Sequence, residues 1–195
     1  SMAQQASEQT SASIKAMSFN LRYGTAKDGP DHWRVRGPRL ISALEKRRPE
    51  LMGVQEALSF QVKQLLKAFP RWKAIGVGRE NGKRRGEFCA IFYDSLRFAA
   101  LDSGTFWLSK TPKIAGSKSW DSECVRICTW ARLRDRKTQR SFYIFNTHLD
   151  HKSQSARANG MELILRRIAK REAADPVILT GDLNAGEENP VNAAI

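Results

Sequence analysis

The amino-acid sequence predicts a layered fold of the α/β or α+β class, and three observations carry the prediction. Short apolar runs rich in β-branched and aromatic residues recur along the whole chain. Amphipathic stretches of helical period are set between them rather than gathered in one block. The 195 residues are 41% hydrophobic with five Trp and nine Phe, enough to bury one substantial core and too apolar for a disordered chain.

In order along the chain, residues 1–13 are polar and small, and Ser1-Met2 reads as a remnant of recombinant expression. A disordered tail is expected there, followed by one domain over residues 14–195. Met17, Phe19 and Leu21 alternate, predicting a strand that ends near Asn20. After a loop with Asp28-Gly29-Pro30, Pro38 is expected to start a helix carrying Leu40, Ile41 and Leu44, stopped by Pro49. Residues 51–54 read as a short buried strand with Gln55-Glu56 at its end. Ser59 is the expected cap of a second helix with a Val62, Leu65, Leu66, Phe69 stripe.

The middle is strand-rich, with candidates at 72–78, 88–93, 97–101 and 105–108, and a basic, glycine-containing connection at 79–86. Residues 125–133 alternate as a further strand, and 141–145 repeat the pattern up to Asn146-Thr147-His148. Residues 153–170 have a helical stripe of Ala156, Gly160, Leu163, Ile164 and Ile168. Residues 176–179 form a last apolar strand, ending at Gly181-Asp182-Leu183-Asn184. No repeat, linker or low-complexity segment divides the chain.

Charge and cysteine content narrow the partners. Lys and Arg number 33 against 20 Asp and Glu, a net charge of +13 that favours polyanions and anionic phosphoesters as ligands, or else a solvated basic surface. No apolar run is long enough to span a bilayer. Cys89 lies in an apolar run and reads as a buried thiol, while Cys124 and Cys128 lack the nearby histidine pair of a zinc site. No leader segment is visible, which leaves the compartment open.

Four predicted strands end in polar groups that can converge: Asn20, Glu56, Asn146 with His148, and Asp182 with Asn184. Strand ends are favoured ligand sites because the scaffold is rigid there while the loops stay open. A hard cation takes a few carboxylate oxygens and keeps water elsewhere, and Glu56 and Asp182 can supply such oxygens. Asn20 and Asn184 offer neutral oxygens or amide donors, and His148 can donate to a phosphoryl oxygen. Each residue taken singly also fits a loop, turn or core role.

Ser18-Phe19-Asn20-Leu21-Arg22, Gly53-Val54-Gln55-Glu56, Asn146-Thr147-His148-Leu149-Asp150-His151 and Thr180-Gly181-Asp182-Leu183-Asn184 occur in that order. Together they resemble the ordered motifs of the endonuclease/exonuclease/phosphatase superfamily. Trp33-Arg34-Val35-Arg36, Gly104-Thr105-Phe106-Trp107-Leu108-Ser109 and Arg126 before Thr129-Trp130 resemble an uncharacterised, bacterial-type branch near its deadenylase-like members. The resemblance implies a deoxyribonuclease I-like, four-layered α/β/β/α sandwich with two central mixed sheets. It also implies Mg²⁺ or Mn²⁺ as cofactor, with Glu56 as principal metal ligand and Asn20 beside metal and phosphate. By the same resemblance His148 contacts the scissile phosphate, Asp182 neighbours the metal and activates the attacking water, and Asn184 holds the phosphoryl group. Arg126 and Asn146 are further substrate-binding candidates, though an exposed strand arginine is the default for Arg126.

The family's terminal Asp-His motif has no counterpart after Asn184, so the resemblance implies a domain whose C-terminal part is missing. Asp31-His32 and Asp150-His151 only imitate that motif. The expected function is divalent-metal-dependent hydrolysis of a phosphoester, as a nuclease or phosphodiesterase. The charge and the basic residues Lys83, Arg84 and Arg85, expected at the rim of the cleft, favour nucleic acid as substrate. A phosphomonoesterase acting on a small substrate is the alternative. A non-catalytic nucleic-acid-binding protein that keeps the fold is the rival from another class. Membrane insertion is not expected, since there is no apolar hairpin to insert.

Overall fold

A computed structural model describes residues 13–195; the expected tail over 1–12 lies outside the described residues. Two four-stranded sheets pack face to face. The first contains β1 (Ala16–Asn20), β2 (Leu51–Gln55), β3 (Trp72–Ile75) and β4 (Ile91–Asp94), in the order β1-β2-β4-β3. The second contains β5 (Phe98–Trp107), β6 (Ile127–Asp135), β7 (Ser141–His148) and β8 (Val177–Asp182), in sequence order. Each sheet is mixed. The pairs β1–β2 and β7–β8 are parallel and the others antiparallel. Helices α1 (Trp33–Arg47) and α2 (Ser59–Ala68) pack on the first sheet, and α3 (Gln154–Ala169) with the short α4 (Pro190–Ala193) packs on the second.

Strand alternation explains the four layers. On β2, Met52 and Val54 point at the helices and join Trp33, Leu44, Val62 and Leu65. Leu51 points the other way, into a cluster with Ile91, Phe98, Leu133, Phe142 and Ile144 between the sheets. A strand buried on both faces reads as a continuous apolar run, which is why Leu-Met-Gly-Val carried no polar alternation. On β7, Tyr143 and Phe145 face α3, whereas Phe142, Ile144, Asn146 and His148 share the face turned towards the first sheet.

Several element bounds differ from the sequence reading. Helix α1 begins five residues before Pro38, at Trp33, because His32 Nδ1 caps it by accepting from the Arg34 amide. Pro38 sits inside the helix, where it forfeits one backbone hydrogen bond. Ser59 is the first helical residue of α2 rather than its cap; Gln61 Oε1 accepts from the Leu58 amide at 2.9 Å instead. The two strands expected at 97–101 and 105–108 are one strand, β5, with a register shift between Ala100 and Asp102. β3 stops at Ile75, before Gly76 (φ 142°), and β4 starts only at Ile91.

Candidate active site

Between the sheets, at the C-terminal ends of β1, β2, β7 and β8, the apolar core gives way to a polar layer. Asn146 is fully buried and uses its whole side chain there. Its Nδ2 donates to the carbonyls of Val54 (2.8 Å) and Ala90 (3.0 Å) in the first sheet. Its Oδ1 accepts from Gln55 Nε2 (2.8 Å) and Thr180 Oγ1 (3.1 Å). Asn146 was expected to bind substrate; it is instead a staple between the sheets, with no hydrogen-bonding group left for a ligand.

One step further along the same strand faces lie the candidate catalytic groups. Asn20 Nδ2 donates to both Glu56 Oε1 and Asp182 Oδ2, each at 2.9 Å. The two carboxylate oxygens, one from each sheet, can therefore be no further apart than twice that distance. Asn20 is held in this orientation because its Oδ1 accepts from the Arg22 amide at 2.8 Å. Glu56 Oε2 accepts from the Tyr23 amide at 3.2 Å. Asp182 Oδ1 accepts from the Asn184 amide at 3.1 Å. Asn184 Nδ2 donates to the Leu149 carbonyl (2.9 Å) and lies 3.0 Å from His148 Nε2. Asn20, Glu56, His148, Asp182 and Asn184, expected to converge, are thus brought together.

Three of the seven non-glycine residues with positive φ among the described residues lie at the same place. Arg22, Glu56 and Asn184 all have positive φ (59°, 59° and 47°), a region that side chains other than Gly enter at a cost. For Glu56 this kink directly follows β2 and turns the carboxylate back towards Asn20.

The electrostatics separate the two titratable groups. Burial, with help from the Arg126 charge, pushes His148 down to about 4, so the imidazole is neutral near pH 7. Its Nδ1 is buried without a partner among the described residues. Burial raises the Asp182 carboxyl, but hydrogen bonds from Asn20 and the Asn184 amide, with the Arg126 charge, outweigh it and hold it below the ordinary range. His148 Nε2 and Asp182 Oδ2 are 3.7 Å apart.

These groups open into a cleft of about 340 Å³, also lined by Arg22, Tyr23, Arg79, Glu87, Arg126 and His151. Arg126 is buried rather than exposed as the default reading had it, since it precedes β6 and turns inward onto Asp150. Asp150 is 1% exposed and accepts from Ser122 Oγ (3.1 Å), Arg126 Nε (3.5 Å) and the amides of Cys124 (3.3 Å), Lys152 (3.1 Å) and Ser153 (2.9 Å). Every partner is a donor, so an amide in its place must set one N–H against another. Asp150→Asn is expected to cost about 2 kcal/mol of stability, read as a lower urea midpoint. An unchanged midpoint would show that the loop does not depend on the charge.

The basic connection expected at the rim is a tight hairpin. Asn81 Oδ1 accepts from the Lys83 and Arg85 amides, and Arg85 pairs with Glu80. Lys83, Arg84 and Arg85 are exposed and do not line the cleft. The residues at the two ends of the hairpin do: Arg79 Nη1 bonds Glu87 Oε2 at 2.7 Å. Arg79 belongs to the basic connection expected at the rim, whereas Glu87 and the pairing have no signal in the sequence beyond opposite charges flanking a turn.

Among the described residues no cluster of three or more His, Cys, Asp or Glu gathers around one point. The donor set fits a cation that takes one or two carboxylates and keeps its waters, as Mg²⁺ and Mn²⁺ do, rather than a closed zinc site. The Asn20 amide hydrogens, positively polarised between two carboxylates, mark where such a charge is favoured.

The profile of the Endonuclease/Exonuclease/phosphatase family matches residues 17–193. The chain superposes with a TM-score of 0.88 on an endonuclease/exonuclease/phosphatase from Bacteroides vulgatus, at 36% identity, covering 91% of this chain and 68% of that one. A mannosyl-6-phosphatase from Bacteroides thetaiotaomicron gives 0.89 at 35% identity, covering 93% and 69%. Protein angel of Drosophila melanogaster is 27% identical over 162 residues, which are 78% of this chain and 44% of that protein. The chain spans less than two thirds of the curated relatives it matches. The ordered motifs, the two-sheet architecture and the profile agree: this chain belongs to the endonuclease/exonuclease/phosphatase family.

Proposed function

We propose that this chain hydrolyses phosphoesters with a divalent cation, Mg²⁺ or Mn²⁺, held by the carboxylates of Glu56 and Asp182, which Asn20 bridges. The observation that carries the reading is the Asn20 amide, which ties a carboxylate from each sheet to one point. When bound, the cation supplies Lewis-acid charge against the phosphoryl oxygens. Asp182, ionised, orients the attacking water and takes up its proton. His148, kept neutral by burial, and Asn184 would exchange the bond they make to each other for donation to phosphoryl oxygens as charge builds in the transition state. Arg126, fixed by Asp150, adds a positive charge to the same wall.

We assign the substrate to the small phosphorylated class, ahead of nucleic acid, because the cleft does not share the chain's excess charge. Arg22, Arg79 and Arg126 are paired with Asp28, Glu87 and Asp150. Lys83 and Arg84 of the nearby hairpin, without a carboxylate partner among the described residues, lie outside the cleft. A second phosphate entering there would meet Glu56 and Glu87, whereas one phosphoryl group suits the volume. The relative among those above that acts on a sugar phosphate is 35% identical. No helix among the described residues is long and apolar enough to cross a membrane.

The test measures kcat/KM with Mg²⁺ for a sugar phosphate and for a single-stranded oligonucleotide over a range of salt. The expected result is preference for the monoester with a shallow salt dependence. Preferred cleavage of the oligonucleotide, with a log–log salt slope steeper than about −3, would restore the nuclease reading. Calorimetric Mn²⁺ binding that is weakened in Glu56→Gln, together with recovery of its turnover at raised metal, supports the ligand assignment. Unchanged binding refutes it.

A further inference from the structure

The second sheet carries a groove that the phosphoesterase reaction does not use. On the face of β5–β7 turned towards α3, Phe106, Trp130, Tyr143 and Phe145 wall a cavity of about 440 Å³. The Trp130 ring lies 6.4 Å from Phe145, stacked at 25°, and 6.2 Å from Tyr143. Trp130 is half-buried, and its register partner on β5 is Gly104. A methyl group at Gly104 would come within 2.9 Å of Trp130 Nε1, so the glycine lets the indole lie against the strand.

The rim is cationic, and its charges come from two separate segments. Arg167 lies in the last turn of α3, Lys170 and Arg171 come directly after that helix, and Lys113 belongs to the loop after β5. The Arg167 guanidinium sits 4.9 Å over the Phe106 ring. Nearby ion pairs are Arg132–Asp175 and Arg166–Glu162, which leaves Lys113, Arg167 and Lys170 without a carboxylate partner among the described residues. Cations in the last turn of a helix offset its dipole, but that does not account for Lys113. Two acceptors, Asp102 and Glu172, complete the rim.

An aromatic platform beside uncompensated cations selects a ligand that is planar at one end and anionic at the other. We infer that this groove binds a nucleotide unit, its base stacked on Trp130 and its phosphate between Lys113, Arg167 and Lys170. Asp102 and Glu172 accept from exocyclic amino groups of the base. The groove lies away from the catalytic strand ends, since Phe145 is about 10 Å from His148 along β7 at the usual strand rise and faces the other side of the sheet. It is independent of the phosphoesterase reading.

The test titrates adenosine monophosphate, inorganic phosphate and a short single-stranded oligonucleotide against the protein in EDTA, following tryptophan fluorescence and calorimetry. Trp130→Ala is expected to weaken nucleotide binding by about five- to a hundredfold. Because Trp130 also packs in the core, Lys113→Ala/Lys170→Ala is the companion variant: weaker binding, a flatter salt dependence and an unchanged thermal midpoint are expected. Tighter binding of the oligonucleotide than of the monophosphate identifies the end of a nucleic-acid strand as the source, and the reverse identifies a free nucleotide. Three results overturn the inference: affinity unchanged in the double-lysine variant, inorganic phosphate binding as well as the nucleotide, or nucleotide binding abolished by Arg126→Ala. The last would move the ligand to the catalytic cleft. If the nucleotide binds in the groove but metal-dependent turnover is absent, the proposed phosphoesterase function fails and this inference stands.

Discussion

Asp182→Asn is expected to lower kcat by about a hundredfold to ten-thousandfold, the range for lost general-base assistance, while the protein stays folded. The isosteric amide can neither take the water's proton nor carry charge. Stability should change little, because two effects oppose each other. The carboxylate accepts from Asn20 Nδ2 on one oxygen and from the Asn184 amide on the other, so an amide loses one of these bonds. It also removes the cost of burying a charge, the largest single effect on the Asp182 carboxyl. A thermal midpoint within about 4 °C of the parent is the expected balance. Full turnover in the variant would end the mechanism, and gross unfolding would show that Asp182 is structural first.

The residues that converge were legible because each ends a short apolar strand, and β-strand alternation projects them from strand ends into one crevice. Which polar strand-end residue faces a ligand was not legible. Asn146 and His148 are two residues apart on one face, yet Asn146 lies under the opposite sheet and is consumed by it. Only the distance between the sheets decides that, and a sequence does not state it. The break at Asp102-Ser103-Gly104 looked like a turn because polar and glycine residues on an exposed edge strand have the composition of a loop. Helix α1 began early because Trp33, 4% exposed, gains more from the core than Pro38 loses from one backbone bond. The net charge of +13 pointed towards polyanions, but charge pairs form in space: the cleft arginines meet carboxylates from six to twenty-four residues away.

Gly53→Ala is expected to destabilise the protein by about 3 kcal/mol, through overpacking and a damaged buried network. Gly53 needs no positive φ; it is glycine because the second sheet comes too close. A Cβ there would stand 2.1 Å from Thr180 Oγ1 and 2.7 Å from Asn146 Oδ1, the two atoms that bond each other at 3.1 Å. Neither can retreat freely. Asn146 is fixed by two carbonyls and Gln55, and Thr180 Oγ1 also donates to the Phe145 carbonyl. The sheets must therefore separate locally, two residue pairs below the Asn20 bridge, and the Glu56–Asp182 spacing must widen with them. The expected signature is a lower urea midpoint with an unchanged slope, a fall of roughly 10 °C in the thermal midpoint, and weaker Mn²⁺ binding in the fraction that remains folded. Adding Thr180→Ala removes the nearest clashing oxygen and should return about half of the lost stability, a coupling expected only of residues in contact. If Gly53→Ala alone is neutral, the sheets are not clamped at this point and the spacing of the two carboxylates needs another cause.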